Sequence, residues 1–136
     1  MNIFDIMGPI MVGPSSSHTA GAARIGFITR RLLGSQPVRA ELLLHGSFAA
    51  TGAGHGTDKA LVAGLLGMRP DDPRLPRSFE LAAQEGMELT LGKTVLRGVH
   101  PNTVLLRVAD ARGKELEVVA SSLGGGRVKV CSIDGL

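Results

Sequence analysis

Apolar residues follow two different periods along this chain. Before Gly34 they recur every three to four positions, which predicts a helix over residues 17–33, with glycine as a suitable stop. Over residues 38–44 every second position is apolar, which is typical of a strand. Helical spacing returns over residues 60–67. The first half of the chain is therefore predicted as helix, strand, helix.

The second half reads mainly as strands. Weak patterns indicate a short helix at 78–85 and a short strand at 87–91. Clear alternation at 103–109 and 115–123 flanks the turn sequence "DARGK", and a last strand is predicted at 127–133. Early helices followed by late strands indicate an α+β fold of two layers rather than a doubly wound sheet.

Length and composition narrow the function classes. The chain has 136 residues, enough for one domain over 1–136, and no interdomain linker or internal repeat is evident. Its net charge is +3, but it has no Trp, no Tyr and only four Phe, so a nucleic-acid surface with stacking platforms is disfavoured. No apolar run approaches the length of about 20 residues that spans a membrane, and the first residues do not read as a signal peptide. The single cysteine, Cys131, excludes an internal disulfide, suits a reducing cytosol, and cannot by itself hold a structural zinc or an iron–sulfur cluster.

One polar motif precedes the first helix. It consists of Ser15, Ser16, Ser17, His18 and Thr19. A helix needs one hydroxyl as a cap, so capping explains one serine and leaves two. The other interpretation is a carboxylate or phosphate pocket, because free N–H groups and the helix dipole favour an anion there. Spacing alone leaves both open.

A second polar motif precedes the second helix. It comprises Gly54, His55, Gly56, Thr57 and Asp58. The structural interpretation is a flexible turn in which Thr57 or Asp58 caps the helix. The functional one is a glycine loop that approaches a ligand, in which His55 acts as general base and Asp58 orients it.

Other conspicuous residues receive structural interpretations. Gly124–Gly126 is predicted as a bulge or hairpin turn rather than a phosphate loop, because no P-loop lysine follows. His100 is assigned to a turn, and Cys131 to the core of an apolar strand. Arg24 has a position in the first helix from which it could face a carboxylate or water.

Four stretches together resemble one known family. These are "FDIMGPIMVGPSSSHTAGAARIG", "HGSFAATGAGHGTDKALVAGLLG", "HPN" and "SSLGGG". They are similar to the beta chain, or beta domain, of bacterial iron–sulfur L-serine dehydratase, over residues 3 to about 134. His45 stands where the family usually has an aromatic residue, and Ser121 where it has a tyrosine.

The resemblance implies a reaction and a partner. L-serine would lose water to give aminoacrylate, which hydrolyses to pyruvate and ammonia, a step of serine catabolism that feeds gluconeogenesis in the cytoplasm. A [4Fe-4S] cluster, held by cysteines of an alpha chain, would act as Lewis acid on the substrate hydroxyl. The chain would then be one half of an enzyme, in a homo-oligomer or heterotetramer, with no nucleic acid or membrane as partner.

The resemblance also implies a fold and site roles. The fold would be an α-β-α-β-β-β arrangement with a mixed sheet, similar to the serine-binding regulatory domain of phosphoglycerate dehydrogenase, and an ACT domain often follows in two-chain members. His55 is the candidate base and His18 its rival. The remaining motif residues are substrate-binding candidates: Ser15, Ser16, Ser17, Thr19, Gly54, Gly56, Thr57 and Asp58. A non-catalytic module that binds serine or another anion is the alternative function.

Overall fold

The structure is a computed structural model that describes residues 16–46, 48 and 56–135. Its elements are, in chain order, α1 (Ser16–Leu33), β1 (Arg39–His45), α2 (Thr57–Leu65), a 3-10 turn (Leu75–Arg77), α3 (Ser78–Gln84), β2 (Glu88–Thr94), β3 (Thr103–Ala109), β4 (Glu115–Gly124) and β5 (Arg127–Ile133). The predicted α+β class is confirmed. The weakly patterned segments form α3 and β2, which add two elements to the α-β-α-β-β-β order.

The strands form one mixed sheet. Their order is β2-β1-β3-β4-β5. β1 and β2 are parallel, and the other neighbouring pairs are antiparallel. A parallel pair needs a crossover connection, and the segment that contains α2 and α3 supplies it. β2 and β5 are left as the two edge strands.

One face of the sheet carries the core. Alternate side chains of β1, β3 and β4 point to this face, because successive residues of a strand project to opposite sides. Helices α1 and α2 cover it. The largest fully buried side chains of these elements are Leu42, Val104, Leu106 and Val118 on the strands and Ile25, Leu33, Leu61 and Leu65 on the helices. Each such side chain contributes about 1.5–3 kcal/mol when it is fully buried. No helix in the described ranges is long and apolar enough to cross a membrane.

Helices α1 and α2 are in close contact through two glycines. A Cβ on Gly64 would lie 2.6 Å from the backbone nitrogen of Phe27, and one on Gly26 would lie 2.9 Å from that of Leu65. Near the C-terminal ends, Arg30 Nη1 donates to the Leu65 carbonyl at 3.2 Å. Later residues of α1 therefore contact later residues of α2. The two helices run in the same direction.

Ion pairs lie on the opposite face of the sheet, near the start of β1. Arg107 donates to Glu117 at 2.8 Å and to Glu41 at 3.1 Å, and Arg39 lies 3.6 Å from Glu115. These groups are exposed, so each pair contributes less than about 1 kcal/mol. Near the start of β1, cationic side chains therefore have anionic partners.

The turn between β3 and β4 is organised by Asp110. Its Oδ1 accepts the N–H groups of Arg112 and Lys114 at 2.9 Å each, and its Oδ2 accepts the Ser35 hydroxyl at 3.1 Å. Burial alone would raise the pKa of the Asp110 carboxyl, but these hydrogen bonds outweigh it and hold the pKa below its ordinary value of 3.8. The "DARGK" sequence is thus a hairpin turn, as predicted.

Candidate functional site

The strand register brings the ends of all five strands together at one end of the sheet. β1 and β2 both finish there, since His45 pairs with Thr94. β3 starts there, because His45 also pairs with Thr103, and β4 finishes there, because Thr103 pairs with Ser121. β5 begins there at Arg127. These five residues define what we call the His45 end of the sheet.

Both helices that carry the predicted polar motifs begin at the His45 end. The start of α1 lies against β4, because a Cβ on Gly21 would overlap Ser122 Oγ and lie 2.9 Å from Ser122 Cβ. α2 runs in the same direction as α1, so Thr57, its first residue, lies towards the same end. Two helix N-termini, each with free backbone N–H groups and a positive dipole end, therefore lie on the same side of the molecule.

The serine motif forms the start of α1. Ser16, Ser17 and His18 have helical backbone, and Thr19 follows as a half-buried residue. The helix thus starts one residue before the predicted position. Ser15 lies outside the described residues. The carboxylate-binding role of the motif stays a prediction, as does the role of His18.

The glycine motif is described only from Gly56 onwards. Gly54 and His55 lie outside the described residues, so the assignment of His55 as general base stays a prediction. Gly56 has a φ of 76°, a left-handed conformation that favours glycine. It occupies the N-cap position of α2, and its carbonyl accepts the Ala60 N–H at 2.9 Å.

The predicted capping roles of Thr57 and Asp58 are wrong. Both residues lie inside the helix, whose N-cap position is occupied by Gly56. Thr57 is fully buried and Asp58 is buried, with Asp58 Oδ1 accepting the Lys59 N–H at 2.8 Å. The Asp58 carboxylate lies in the first turn of α2, where the helix dipole favours a negative charge. Whether these two residues contact substrate stays a prediction.

Ser122 is a buried residue of β4 at the His45 end to which the sequence analysis assigned no role. Its hydroxyl oxygen is buried and has no hydrogen-bond partner among the described residues. Its backbone N–H donates to the Asn102 carbonyl at 2.9 Å. An unpartnered buried hydroxyl costs about 1–3 kcal/mol. One signal was present in the sequence: Gly21 lies inside a helix, where alanine is favoured by about 1 kcal/mol, and such a glycine often marks a close approach.

Two neighbouring hydroxyls are committed to a hydrogen-bond chain. Thr103 Oγ1 donates to the His100 carbonyl at 2.5 Å. Because a hydroxyl has one proton, Ser121 is the donor in the 2.7 Å bond to Thr103. Cys131 is then the donor in its 3.4 Å contact with Ser121. These hydroxyls stabilise the His45 end and are not free donors for a ligand.

Two histidines hold the connection between β2 and β3. Nδ1 of His45 accepts the Leu96 N–H at 3.0 Å, and Nδ1 of His100 accepts the Asn102 N–H at 3.0 Å. In both contacts the ring nitrogen Nδ1 is the hydrogen-bond acceptor. The β2–β3 loop is therefore fixed to the His45 end by imidazole groups.

The glycine triplet is a hairpin turn, as predicted. Gly125 and Gly126 have φ values of 63° and 79° and connect β4 to β5 directly. A two-residue hairpin turn of this kind requires positive φ at both central residues, and its geometry matches the right-handed twist of the strands that it joins. Arg24 of α1 lies beside this turn, since a Cβ on Gly126 would be 3.8 Å from its Nε.

Comparison with known proteins gives one consistent result. A profile of the serine dehydratase beta chain family matches residues 2–84. The chain is 48% identical over 134 residues to the "L-serine dehydratase, beta chain" of Peptoniphilus asaccharolyticus and 43% identical to the "Probable L-serine dehydratase, beta chain" of Bacillus subtilis. The chain belongs to the serine dehydratase beta chain family.

The length of these relatives differs from that of the chain. Each alignment covers 98% of this chain but 60% of the relative. The "L-serine dehydratase" of Streptomyces coelicolor is 33% identical over 157 residues, and the alignment covers 94% of this chain and 33% of that protein. Members of the serine dehydratase beta chain family therefore include longer proteins in which the matched region is one part.

The described part of this serine dehydratase beta chain does not fit an iron–sulfur cluster. Residues 16–46, 48 and 56–135 contain no group of three or more His, Cys, Asp or Glu side chains that could hold a metal. The single thiol, Cys131, is exposed on edge strand β5, which makes its predicted core position wrong. A cluster needs three or four thiolates, so these residues offer no ligand set for it.

The two positions at which the resemblance leads one to expect an aromatic residue, His45 and Ser121, lie at the His45 end. His45 accepts the Leu96 N–H. Ser121 donates to Thr103. Each side chain is therefore hydrogen-bonded within the framework of the sheet.

Proposed function

We propose that this chain is the beta subunit of an L-serine dehydratase, which converts L-serine to pyruvate and ammonia together with an alpha chain. Family membership supports the reaction class. The observation that supports the proposal is the parallel packing of α1 and α2, through which their first residues, Ser16 and Thr57, lie towards one end of the sheet. Two motifs separated by about a quarter of the chain can then act on one small substrate.

In this proposal the chain binds the substrate carboxylate at the start of α1. The N–H groups of the first helical turn and the hydroxyls of Ser15, Ser16, Ser17 and Thr19 supply donors for an anion. His18 completes this set as a hydrogen-bond donor. Binding at fixed donors orients the α-carbon, and orientation accounts for a large part of the barrier reduction in such reactions.

The glycine motif then acts on the α-proton. His55 takes this proton as general base, and the glycines on either side allow the loop to approach the α-carbon. The buried Asp58 lies in the first turn of α2 and orients the loop. Loss of the α-proton and of the β-hydroxyl gives aminoacrylate, which takes up water and releases ammonia and pyruvate. A [4Fe-4S] cluster held by the alpha chain would supply Lewis-acid chemistry at the β-hydroxyl, and the residues described in this chain offer no ligand set for it.

The proposal is tested by separating the two chains. The purified chain is incubated anaerobically with iron and sulfide, and pyruvate formation from L-serine is measured with and without the alpha chain. We expect no pyruvate and no cluster absorption from this chain alone, and activity when both chains are present. Pyruvate formation by this chain alone would contradict the proposal that the reaction requires both chains. Binding of serine by an assembly that never produces pyruvate would favour the anion-binding module instead.

A further inference from the structure

The charged residues of the sheet are distributed unevenly between its two ends. Five cationic side chains lie at the His45 end: Arg24, Lys93, Arg97, Arg127 and Lys129. α1 contains no acidic residue, and neither do residues 42–46, 93–104 and 118–130, which form this end of the sheet and its loops. At the opposite end, in contrast, arginines and glutamates form ion pairs.

These five cations form no ion pair with another described residue. In the described residues, the ion pairs involve Arg39, Arg74, Arg77 and Arg107, and none of the five. Arg127 donates only to a backbone carbonyl, that of Gly124, at 3.4 Å. Cations that are exposed and unpaired at one end produce a positive potential there, which attracts a negatively charged surface.

The same end exposes apolar side chains. Val95, directly after β2, is 86% exposed, and Leu123, at the end of β4, is 36% exposed. The sheet spans four strand spacings from β2 to β5, or about 19 Å. Protein–protein interfaces commonly have apolar residues at the centre and polar residues around them. Val95 and Leu123, surrounded by the five cations, match this arrangement.

From this arrangement we infer that the His45 end is the surface on which the partner alpha chain docks, through an acidic patch that complements the five cations. This inference rests on the proposed function, because it names the docking surface of that partner. A small anion is too small to occupy the whole surface. A carboxylate contacts only one or two of the five cations, which are spread over about 19 Å. L-serine also has no net charge at neutral pH, so the cations are not needed to attract it.

Docking at this end has a consequence for the reaction. The first residues of α1 and α2, Ser16 and Thr57, lie towards the same end, so the alpha chain would cover both helix N-termini. Water would then be excluded from the groups that contact the substrate, which strengthens their electrostatic interactions. The active site is completed only when the two chains associate.

Charge reversal at the two ends of the sheet tests the inference. The variant R97E/R127E reverses two cations of the proposed surface, and R69E/K114E reverses two exposed cations at the opposite end, with the same change in net charge. The dissociation constant between the full chain and the alpha chain is measured for both variants at low and at physiological salt. We expect R97E/R127E to weaken association at least about tenfold, with a smaller effect at higher salt, and R69E/K114E to leave it near the parent value.

Two further measurements make the outcome decisive. Circular dichroism and thermal unfolding of each variant establish that it is folded, and V95D tests the apolar contact without removing a cation. If both charge reversals weaken association with the alpha chain equally, or neither does, the proposed docking surface is wrong. Activity of the parent assembly would still support the proposed function. Failure of the parent chain to bind the alpha chain overturns both. If R97E/R127E loses salt-dependent binding of an oligonucleotide but retains the alpha chain, the surface serves nucleic acid and the inference is wrong.

Discussion

The contact between Gly21 and Ser122 predicts a specific coupling between two substitutions. Gly21→Ala places a methyl group that overlaps Ser122 Oγ and lies 2.9 Å from Ser122 Cβ. Overpacking of this kind costs about 1–3 kcal/mol, while alanine in a helix is favoured over glycine by about 1 kcal/mol. We therefore expect the single variant to lose up to about 2 kcal/mol of unfolding free energy. In Gly21→Ala/Ser122→Gly both overlapping atoms are gone, so the overpacking cost disappears.

The assay is urea unfolding of the four proteins of this double-mutant cycle. We expect a coupling free energy of about 1–3 kcal/mol, with the double variant more stable than the sum of the single changes predicts. Gly86→Ala combined with Ser122→Gly is the matched control, since a Cβ on Gly86 meets no atom within 4 Å. That control cycle should be additive within about 0.5 kcal/mol. Additivity in the Gly21 cycle as well would show that α1 relaxes away from β4 and would refute the close contact.

Three further predictions concern packing, pH and the reaction. Gly64→Ala should destabilise the chain more than Gly21→Ala does, because its methyl group meets backbone atoms of α1; a higher melting temperature would contradict this. The folded-state pKa of Asp110 is lowered, so its stabilising effect is present above pH about 4 and is lost as the pH falls through the folded pKa. The unfolding free energy of Asp110→Asn should therefore depend less steeply on pH below pH about 4. An unchanged pH profile would count against this assignment. In the assembled enzyme, His55→Asn should lower kcat about 10²–10⁴-fold with association preserved, whereas Ser16→Ala/Ser17→Ala should mainly raise KM for serine. A normal kcat for His55→Asn would assign the general base to His18 or to the partner chain. Unchanged kinetics with a lower melting temperature for Ser16→Ala/Ser17→Ala would favour a simple capping role.

The strongest periodic patterns allowed accurate predictions. α1 was predicted over 17–33 and spans Ser16–Leu33, and β3 and β5 match their predicted ranges. Helical and strand periods are local properties, so the sequence reports them directly. The predicted strand at 87–91 instead extends to Thr94, because the parallel ladder with β1 continues there. That pairing joins segments about 50 residues apart, and no local pattern encodes it.

The site was predicted less completely for similar reasons. The two polar motifs were evident from residue types, but the placement of the helix starts, Ser16 and Thr57, towards one end of the sheet depends on the direction of α2 relative to α1. Cys131 was assigned to the core because its neighbours are apolar, yet β5 is an edge strand and the thiol is exposed. Ser122 escaped notice because a serine in a strand is unremarkable until the neighbouring helix is placed against it.

The glycine contact between α1 and α2 couples the positions of the two helices. Backbone atoms of Gly26 and Gly64 meet without side chains between them, so neither helix can slide or rotate far without carrying the other. A ligand that displaces the start of one helix would therefore also displace the start of the other, through a contact that lies away from both N-termini.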